Sequence, residues 1–430
     1  METTATKLWN RDFFLLVSGQ IISMFGNMIL SFALPLYVLD ISGSPTLYGV
    51  MLGVPYITLL LLSPIGGILA DRLRKQRIMF WLDASTTILI VLYMIVSGLT
   101  DLIVPIVIVK LLALNAIQGM YMPTVQASVP VLIPPEKLTS GNAVVNVVNS
   151  LSTMIGMAIA GVVYGRFGLT PILVVSAICF AITAVMKLLI RIPYKKQDSS
   201  GGMLSIIKSD ILLSIRYATK EKPILAKSFG IMFFLVMLLA PVILVGIPVL
   251  VSQHLDMTMG FVGISQSITM FGGLIGGIFA GAVGERLTMR KALGIVTLGS
   301  IFIAVIGLVF LVKIPAFVAY VALTASSALV YLTAQMLTVA AVTYIQKVTP
   351  EELIGKIMSI MMVVPFLAYA VGQILFGTLF GTFDNMPWAI LFATAALIAA
   401  LTLLSRHLLA KELKKMKNES TEGYSEEIQS

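Results

Sequence analysis

The feature that most restricts this chain is the spacing of its charged residues, which are so rare that they separate long apolar stretches. The 58 residues from Phe13 to Ala70 contain a single charge, Asp40. Three further stretches share this pattern: Ser228–Gly284 with Asp256, Ala292–Gln346 with Lys313, and Ile357–Ser405 with Asp384. A helix that crosses a bilayer needs about 20 apolar residues. Each stretch is therefore predicted to hold two such helices, with the lone charge at the turn between them.

The remaining apolar stretch, Ile78–Ile190, is long enough for four helices and carries turn signals near Gly98–Asp101, Pro134–Lys137 and Arg166–Gly168. The total is twelve. The chain is 58% apolar and 11% charged, whereas a soluble domain is about half apolar and a quarter charged. These proportions exclude a soluble enzyme, a disordered chain and a single-span receptor. The predicted fold class is an all-α polytopic membrane protein with twelve transmembrane helices.

The basic residues predict the orientation, because Lys and Arg in short loops stay in the cytoplasm. With both termini inside, 25 of the 29 Lys and Arg residues fall in cytoplasmic segments. The net charge of +9 is therefore interpreted as a topology signal, and nucleic-acid binding is not expected. The first apolar run has no cleavage site and is interpreted as a retained span. The predicted location is the inner (cytoplasmic) membrane, with both termini cytoplasmic.

An internal repeat divides the chain into two similar halves. The segment GILADRLRKQR from Gly67 has a counterpart, GAVGERLTMRK, 214 residues later at Gly281. Parallel repeats of this kind are typical of major facilitators. The predicted domains are a six-helix bundle over residues 1–192, a basic linker with an amphipathic helix over 193–226, a second bundle over 227–410 and a charged cytoplasmic tail over 411–430.

The segment that starts at Gly67 carries a family signature in the loop between spans two and three. Gly67, Asp71, Arg72, Lys75 and Arg77 match the pattern GxLaDrxGRrr of the major facilitator superfamily, with Arg74 in place of its second glycine. The chain therefore resembles that superfamily over its whole length. The resemblance implies two six-helix pseudo-repeats and transport by alternating access.

More closely, the chain is similar to the macrolide-efflux type of drug exporter. The similar segments are ALPLYVLDISGS, RIMFWLD and VPVLIPPEKLTSGNA. The resemblance implies secondary active export of amphipathic, macrolide-like drugs in exchange for protons. Two residues of many drug/proton antiporters are replaced, since Asn115 stands for an arginine and Met157 follows Gly156 in place of proline. The alternatives are a facilitator or exporter of another amphipathic solute, such as a siderophore or lysophospholipid, and a membrane sensor that does not transport.

The resemblance also implies a conformational latch at the loops that follow spans two and eight. In the superfamily the carboxylate corresponding to Asp71 faces the start of span eleven, and Glu285 would act likewise at span five. A helix N-terminus favours a carboxylate by about 0.3–1 kcal/mol. The predicted latch residues are Gly67, Asp71, Arg72, Lys75, Gly281, Glu285 and Arg286.

Polar side chains recur at helical spacing in the spans that line the central cavity of this superfamily. The predicted cavity residues are Gln20, Asn27, Lys110, Asn115, Gln118, Tyr331 and Gln335. The alternative is that these side chains join neighbouring helices by hydrogen bonds, as polar residues also do in membrane bundles.

Three charges fall inside predicted spans, where charges are costly and usually functional. Asp83 in span three is either a proton carrier or the partner of nearby loop arginines. Lys110 lies near the middle of span four and is expected to line the cavity, the alternative being that its amine reaches the outer membrane surface. Lys187 lies near the end of span six, from where its amine is expected to reach the membrane surface.

Motifs for other energy sources and chemistries do not occur in the sequence. It contains no GxxxxGK[ST], HExxH or GxSxG, so ATP hydrolysis and hydrolase chemistry are not expected. Its single cysteine and two histidines predict no metal site, and no cofactor is expected. The expected partners are a small amphipathic substrate, protons and the lipid bilayer, and the protein is expected to be a monomer.

Overall fold

The computed structural model describes residues 9–97, 99, 103–192, 216–217, 223–312 and 314–429. Some side chains within helices lie outside the described part, among them those of Asp71, Arg72 and Glu285 and all those from residue 409 onward. Lys313 and nearly all of the basic linker, with its predicted amphipathic helix, also lie outside the described residues.

Twelve helices of the described part are long and apolar enough to cross a membrane, which confirms the predicted number. They are α1 (Arg11–Ser42), α2 (Pro45–Arg72), α3 (Lys75–Ser97), α4 (Ile103–Leu132), α5 (Leu138–Phe167), α6 (Leu169–Leu189), α7 (Pro223–His254), α8 (Met259–Val283), α9 (Met289–Val312), α10 (Ala316–Val348), α11 (Glu351–Thr382) and α12 (Pro387–Gln429). The ranges that the structure describes contain no β-strand. The chain is a multi-pass membrane protein.

The local sequence explains where α1 ends and where α2 begins. The backbone of Gly43 is left-handed (φ 59°), and its N–H donates to the Leu39 carbonyl, which ends α1. A residue without a Cβ adopts this conformation at little cost. The Ser44 hydroxyl then accepts from the Leu47 N–H at 3.3 Å and starts α2, with Pro45 in its first turn. The tight turn beside Asp40 therefore follows from a Gly-Ser-Pro sequence.

Helix α7 departs from regular α-helix in two places that the sequence analysis did not predict. Val242–Gly246 and Leu250–His254 are π-helical turns. Pro248 lacks the N–H that would bond to the Leu244 carbonyl in a regular helix. The hydroxyl of Tyr48, a side chain 2% exposed, donates to that carbonyl instead at 3.2 Å. A partner on α2 thus satisfies the backbone group that the proline leaves open.

The chain forms two compact units. The first comprises Met1–Met203, Leu244–Ile268 and Tyr369–Thr382, and the second comprises Leu204–Ile243, Thr269–Ala368 and Phe383–Ser430. In the first unit α1 packs on α5 and α6, α3 packs on α6, and α2 packs on α4. In the second unit α9 packs on α10 and α12.

Glycines allow helix backbones of the first unit to approach each other closely at two places. At the contact of α5 with α8, a Cβ atom on Gly263 would lie 2.6 Å from the Cα atom of Gly161. At the contact of α2 with α11, a Cβ atom on Gly377 would lie 2.7 Å from the Cα atom of Gly49. Small residues at interfaces are how membrane helices reach such short separations. Both contacts therefore require glycine.

Candidate functional site

Four helices of the first unit, α1, α3, α4 and α6, surround a small polar cavity. Its lining comprises Ser23, Asn27, Asp83, Thr86, Leu114, Ile117, Gln118, Tyr121 and Phe180. The cavity measures about 10 Å³, which is the space for one water molecule. The structure thus brings the predicted cavity residues Asn27 and Gln118 to the same place as the candidate proton carrier Asp83.

Asp83 lies inside the helix bundle, where its side chain is 2% exposed. Its Oδ2 atom has no hydrogen-bond partner among the described residues. The charge that interacts with this carboxylate belongs to Lys187 on α6, and the side chain of Thr183 also interacts with it. The nearby loop arginines Arg74 and Arg77 are exposed. The charge near Asp83 therefore belongs to a lysine of the bundle and not to a loop arginine.

The expectation that Lys187 reaches the membrane surface is wrong, because its side chain is fully buried. A Cβ atom on Gly19 would lie 3.0 Å from its Nζ atom, so the missing side chain leaves the amine room against α1. The Nζ atom also lies 5.7 Å from the ring centre of Tyr121. It has no hydrogen-bond partner in the described part of the chain. Lys187 points inward because α1 and α3 cover the face of α6 on which it lies.

The cavity residues of α1 and α4 differ in what they contact. The hydroxyls of Ser23 and Tyr121 lie 3.3 Å apart. The amide of Gln20 donates to the Asn149 side chain at 3.4 Å. The amide of Asn115 donates to the Leu111 carbonyl of its own helix at 2.9 Å. Of the side chains predicted to line a cavity, Gln20 and Asn115 thus make hydrogen bonds within or between helices.

Lys110 is buried on α4, and its nearest described partner is an aromatic ring. Its side chain is 4% exposed, and its Nζ atom lies 3.9 Å from the ring centre of Tyr93 on α3. No hydrogen-bond partner of Nζ occurs among the described residues. An ammonium group over an aromatic face is attracted by the negative charge of the π system. The structure thus places Lys110 against the Tyr93 ring of α3.

Tyr331 and Gln335, the cavity residues predicted on α10, belong to the second unit. The Gln335 amide donates to the Tyr331 hydroxyl at 3.3 Å. A Cβ atom on Gly273 of α8 would overlap the Tyr331 ring and lie 3.1 Å from Cγ of Gln335. A glycine on α8 therefore provides the space in which these two side chains pack.

For the predicted latch, the structure describes mainly the backbone. Asp71 and Arg72 form the last turn of α2, and Lys75 begins α3. Gly281 lies near the end of α8 and is exposed, as is Arg286, whose carbonyl accepts from Lys291 Nζ at 3.0 Å. The sequence segments identified as equivalent thus both lie where one helix ends and the next begins.

Sequence reasoning missed Lys187, Thr183 and Tyr121 as members of the Asp83 environment. A signal was present, because the described spans hold few charges and a buried acid needs a cation. Periodicity shows which face of a helix is polar but not which helix that face meets. Identifying Lys187, rather than a loop arginine, as the charge near Asp83 therefore required the structure.

Comparison with known protein families and structures gives a consistent result. The family model described as Major Facilitator Superfamily matches residues 16–364 and 229–428. The nucleoside transporter NupG is similar in structure, with a TM-score of 0.72, 12% identity and coverage of 93% of this chain and 99% of that chain. A bacterial homologue of the iron transporter ferroportin in an inward-facing state gives a TM-score of 0.70 at 14% identity, covering 92% and 98%. These two likenesses show the fold.

A curated relative is Macrolide efflux protein A of Streptococcus pyogenes. It is 24% identical to this chain over 185 residues, which are 43% of this chain and 46% of the relative. The match therefore spans about half the length of that protein. Together with the twelve helices and the family match, these findings show that the chain belongs to the major facilitator superfamily and is a membrane transporter, not an enzyme.

Proposed function

We propose that this transporter is a secondary active exporter of amphipathic, macrolide-like drugs, driven by the proton gradient. The similarity to Macrolide efflux protein A carries this proposal. The sequence supports an ion gradient as the energy source, because it has no phosphate-binding loop for ATP. Alternating access between two six-helix halves, 1–192 and 227–410, is the transport cycle that the family favours. The Lys and Arg distribution supports the inner membrane with both termini in the cytoplasm.

A drug-susceptibility experiment tests the proposed substrate class. The chain is expressed in a bacterium that lacks its main drug exporters, and growth is measured against macrolides, other amphipathic drugs, siderophores and lysophospholipids. We expect a several-fold rise in the inhibitory concentration of macrolides. Cells of the same strain that carry the empty expression vector serve as the control. Protection against lysophospholipids alone, or siderophore-dependent growth alone, would contradict the proposed substrate class in favour of another amphipathic solute.

Lys110 is proposed to set the charge preference of the transporter. Its ammonium group occupies the face of the Tyr93 ring, a surface that can also attract a cationic drug. We expect Lys110→Ala to keep the fold and to raise transport of cationic drugs relative to neutral ones. The transport rate of erythromycin, whose amino sugar is protonated at neutral pH, should therefore rise. The measurement is the ratio of initial rates for a cationic and a neutral drug of similar size in reconstituted vesicles.

The control for this variant is Lys110→Arg, which keeps a cation over the ring and should keep the wild-type ratio. A cysteine introduced at position 110, with Cys179 replaced by serine, reports access to water. Reaction of that cysteine with a water-soluble thiol reagent in the presence of drug supports the proposal. An unchanged rate ratio in Lys110→Ala would contradict it.

A further inference from the structure

We propose that Asp83 and Lys187 together form the binding site for the coupling proton. This inference rests on the proposed function, and it assigns a partner to Asp83 that the sequence did not identify. The two side chains come from α3 and α6 of the same compact unit and share Tyr121 as a neighbour. Tyr121 lines the cavity beside Asp83, and its ring centre lies 5.7 Å from the Lys187 Nζ atom, so the two opposite charges are close enough to attract each other. The proton would enter from one side of the membrane and bind to the Asp83 carboxylate, converting it to a carboxylic acid. It would later leave the same oxygen atom toward the other side of the membrane.

Burial makes these two groups unusual. Asp83 is 2% exposed and Lys187 is 0% exposed. Within the described part, the Asp83 Oδ2 and Lys187 Nζ atoms both lack a hydrogen-bond partner. A buried charge is destabilising unless an opposite charge compensates it. As carboxylate and ammonium the two groups sum to zero, but their open hydrogen-bonding positions are not what a purely structural ion pair would leave.

The small cavity gives Asp83 a neighbouring site for a water molecule. Asp83 forms part of its wall, and Asn27 and Gln118 supply further polar groups. The Gln118 Oε1 atom is also without a partner among the described residues. Ordered water normally makes two to four hydrogen bonds to such groups. A water molecule in this cavity would give the buried carboxylate a donor through which a proton can arrive.

The other groups that face the pair do not compete for the proton. From α1 the neighbours are Gly19 beside Lys187, and Ser23 and Asn27 beside the cavity, none of which titrates. From α4 the one titratable neighbour described is Tyr121, whose hydroxyl lies 3.3 Å from that of Ser23. Asp83 is therefore the group of this cluster whose charged form, a carboxylate, can bind a proton.

Protonation of Asp83 has a mechanical consequence. The carboxylic acid no longer compensates Lys187, and a lone ammonium group in the membrane interior is costly. As long as Lys187 stays protonated, it must gain water, or α1, on which its amine packs, must move relative to α6. Either response changes the packing of the helices around the cavity. The proton thus favours a different conformation, which is what coupling to transport requires.

A sodium ion would also suit the oxygen atoms around the cavity. The amine of Lys187 opposes this alternative, because a second cation beside it would be repelled, whereas a proton neutralises the carboxylate and adds no separate ion. We therefore assign the proton to this site and treat sodium dependence as an outcome of the test.

The first experiment needs no substrate. Infrared difference spectra of the full-length protein in lipid, recorded across a pH titration, report the C=O stretch of protonated carboxyl groups. We expect a band that is present in the wild type and in Asp40→Asn, and absent from Asp83→Asn/Lys187→Met. Asp40 is a suitable control because it is an exposed acid held by the Tyr164 hydroxyl at 2.8 Å. Persistence of the band in the double variant would overturn the assignment, whether or not any drug is transported.

The second experiment tests the pairing and the coupling. Asp83→Asn and Lys187→Met should each lower the melting temperature, and the double variant should recover it, because neither charge is then left alone. In vesicles the wild type and Asp40→Asn should accumulate erythromycin by up to about tenfold per pH unit for each proton exchanged. The double variant should exchange erythromycin across the membrane but not accumulate it.

Three results would overturn the proposal. The first is a double variant that melts as low as the single variants. The second is a double variant that still accumulates erythromycin when a pH gradient is applied. The third is accumulation by the wild type that requires a sodium gradient. If the wild type transports no drug while the infrared band behaves as expected, the drug-export proposal fails and the proton site stands.

Discussion

Replacing Gly263 with valine should lower transport at least several-fold, because it adds atoms where two helix backbones are in contact. A Cβ atom there would lie 2.6 Å from Gly161 Cα and 2.8 Å from the Met157 carbonyl oxygen. These are backbone atoms, so no side-chain rotation can relieve the overlap. Overpacking of this kind costs about 1–3 kcal/mol. The equilibrium constant for forming this packed arrangement should fall by about five- to 150-fold.

Gly277→Val provides a matched control on the same helix. A Cβ atom on Gly277 meets no other atom within 4 Å, so the same substitution should leave transport close to that of the wild type. Initial rates of drug transport in reconstituted vesicles, normalised to the amount of folded protein, are the measurement. Equal rates for the two variants would show that the close approach of α5 and α8 is not required.

Replacing Asp71 with asparagine should remove most of the transport activity while expression and folding remain normal. The latch hypothesis assigns this carboxylate to the start of the helix that begins at Glu351. Asparagine keeps the size and removes the charge, and with it the favourable interaction with a helix dipole. One of the two end states of the alternating-access cycle should then be populated less. The transport rate should fall at least several-fold. Initial transport rates and surface expression are measured together.

Asp71→Glu is the control, because it keeps the charge and moves it by one methylene group. We expect it to recover a substantial part of the rate. Near-normal transport by Asp71→Asn, or equal loss in both variants, would contradict a latch based on charge.

The twelve helices could be predicted from the sequence because a charged residue is costly inside a bilayer. Charged residues are therefore mostly confined to the turns between spans and mark where the spans end. Asp256 and Asp384 lie in the turns between α7 and α8 and between α11 and α12, as their isolation indicates. The family could also be predicted, because its signature at Asp71 is a local motif. These features depend on short segments of the chain, and neither requires knowledge of how helices pack.

The environment of Asp83 could not be predicted, because its partner lies on another helix far along the sequence. Position near the end of a span suggested that Lys187 would reach the membrane surface. Its burial depends on Gly19 of α1, which has no periodic signal. The π turns of α7 were missed for a related reason: Pro248 indicates a broken hydrogen bond, but only the fold shows that Tyr48 replaces it.

The most direct test of proton-driven drug export is uptake of radiolabelled erythromycin into vesicles that contain only this protein. The vesicles have an acidic interior and are given no ATP and no sodium gradient. The exporter molecules whose cytoplasmic side faces outward should then accumulate the drug inside the vesicles. Accumulation should collapse when an ionophore dissipates the pH gradient, and vesicles without protein correct for passive trapping of a weak base. Uptake equal to that of the vesicles without protein, with or without the gradient, would contradict the account.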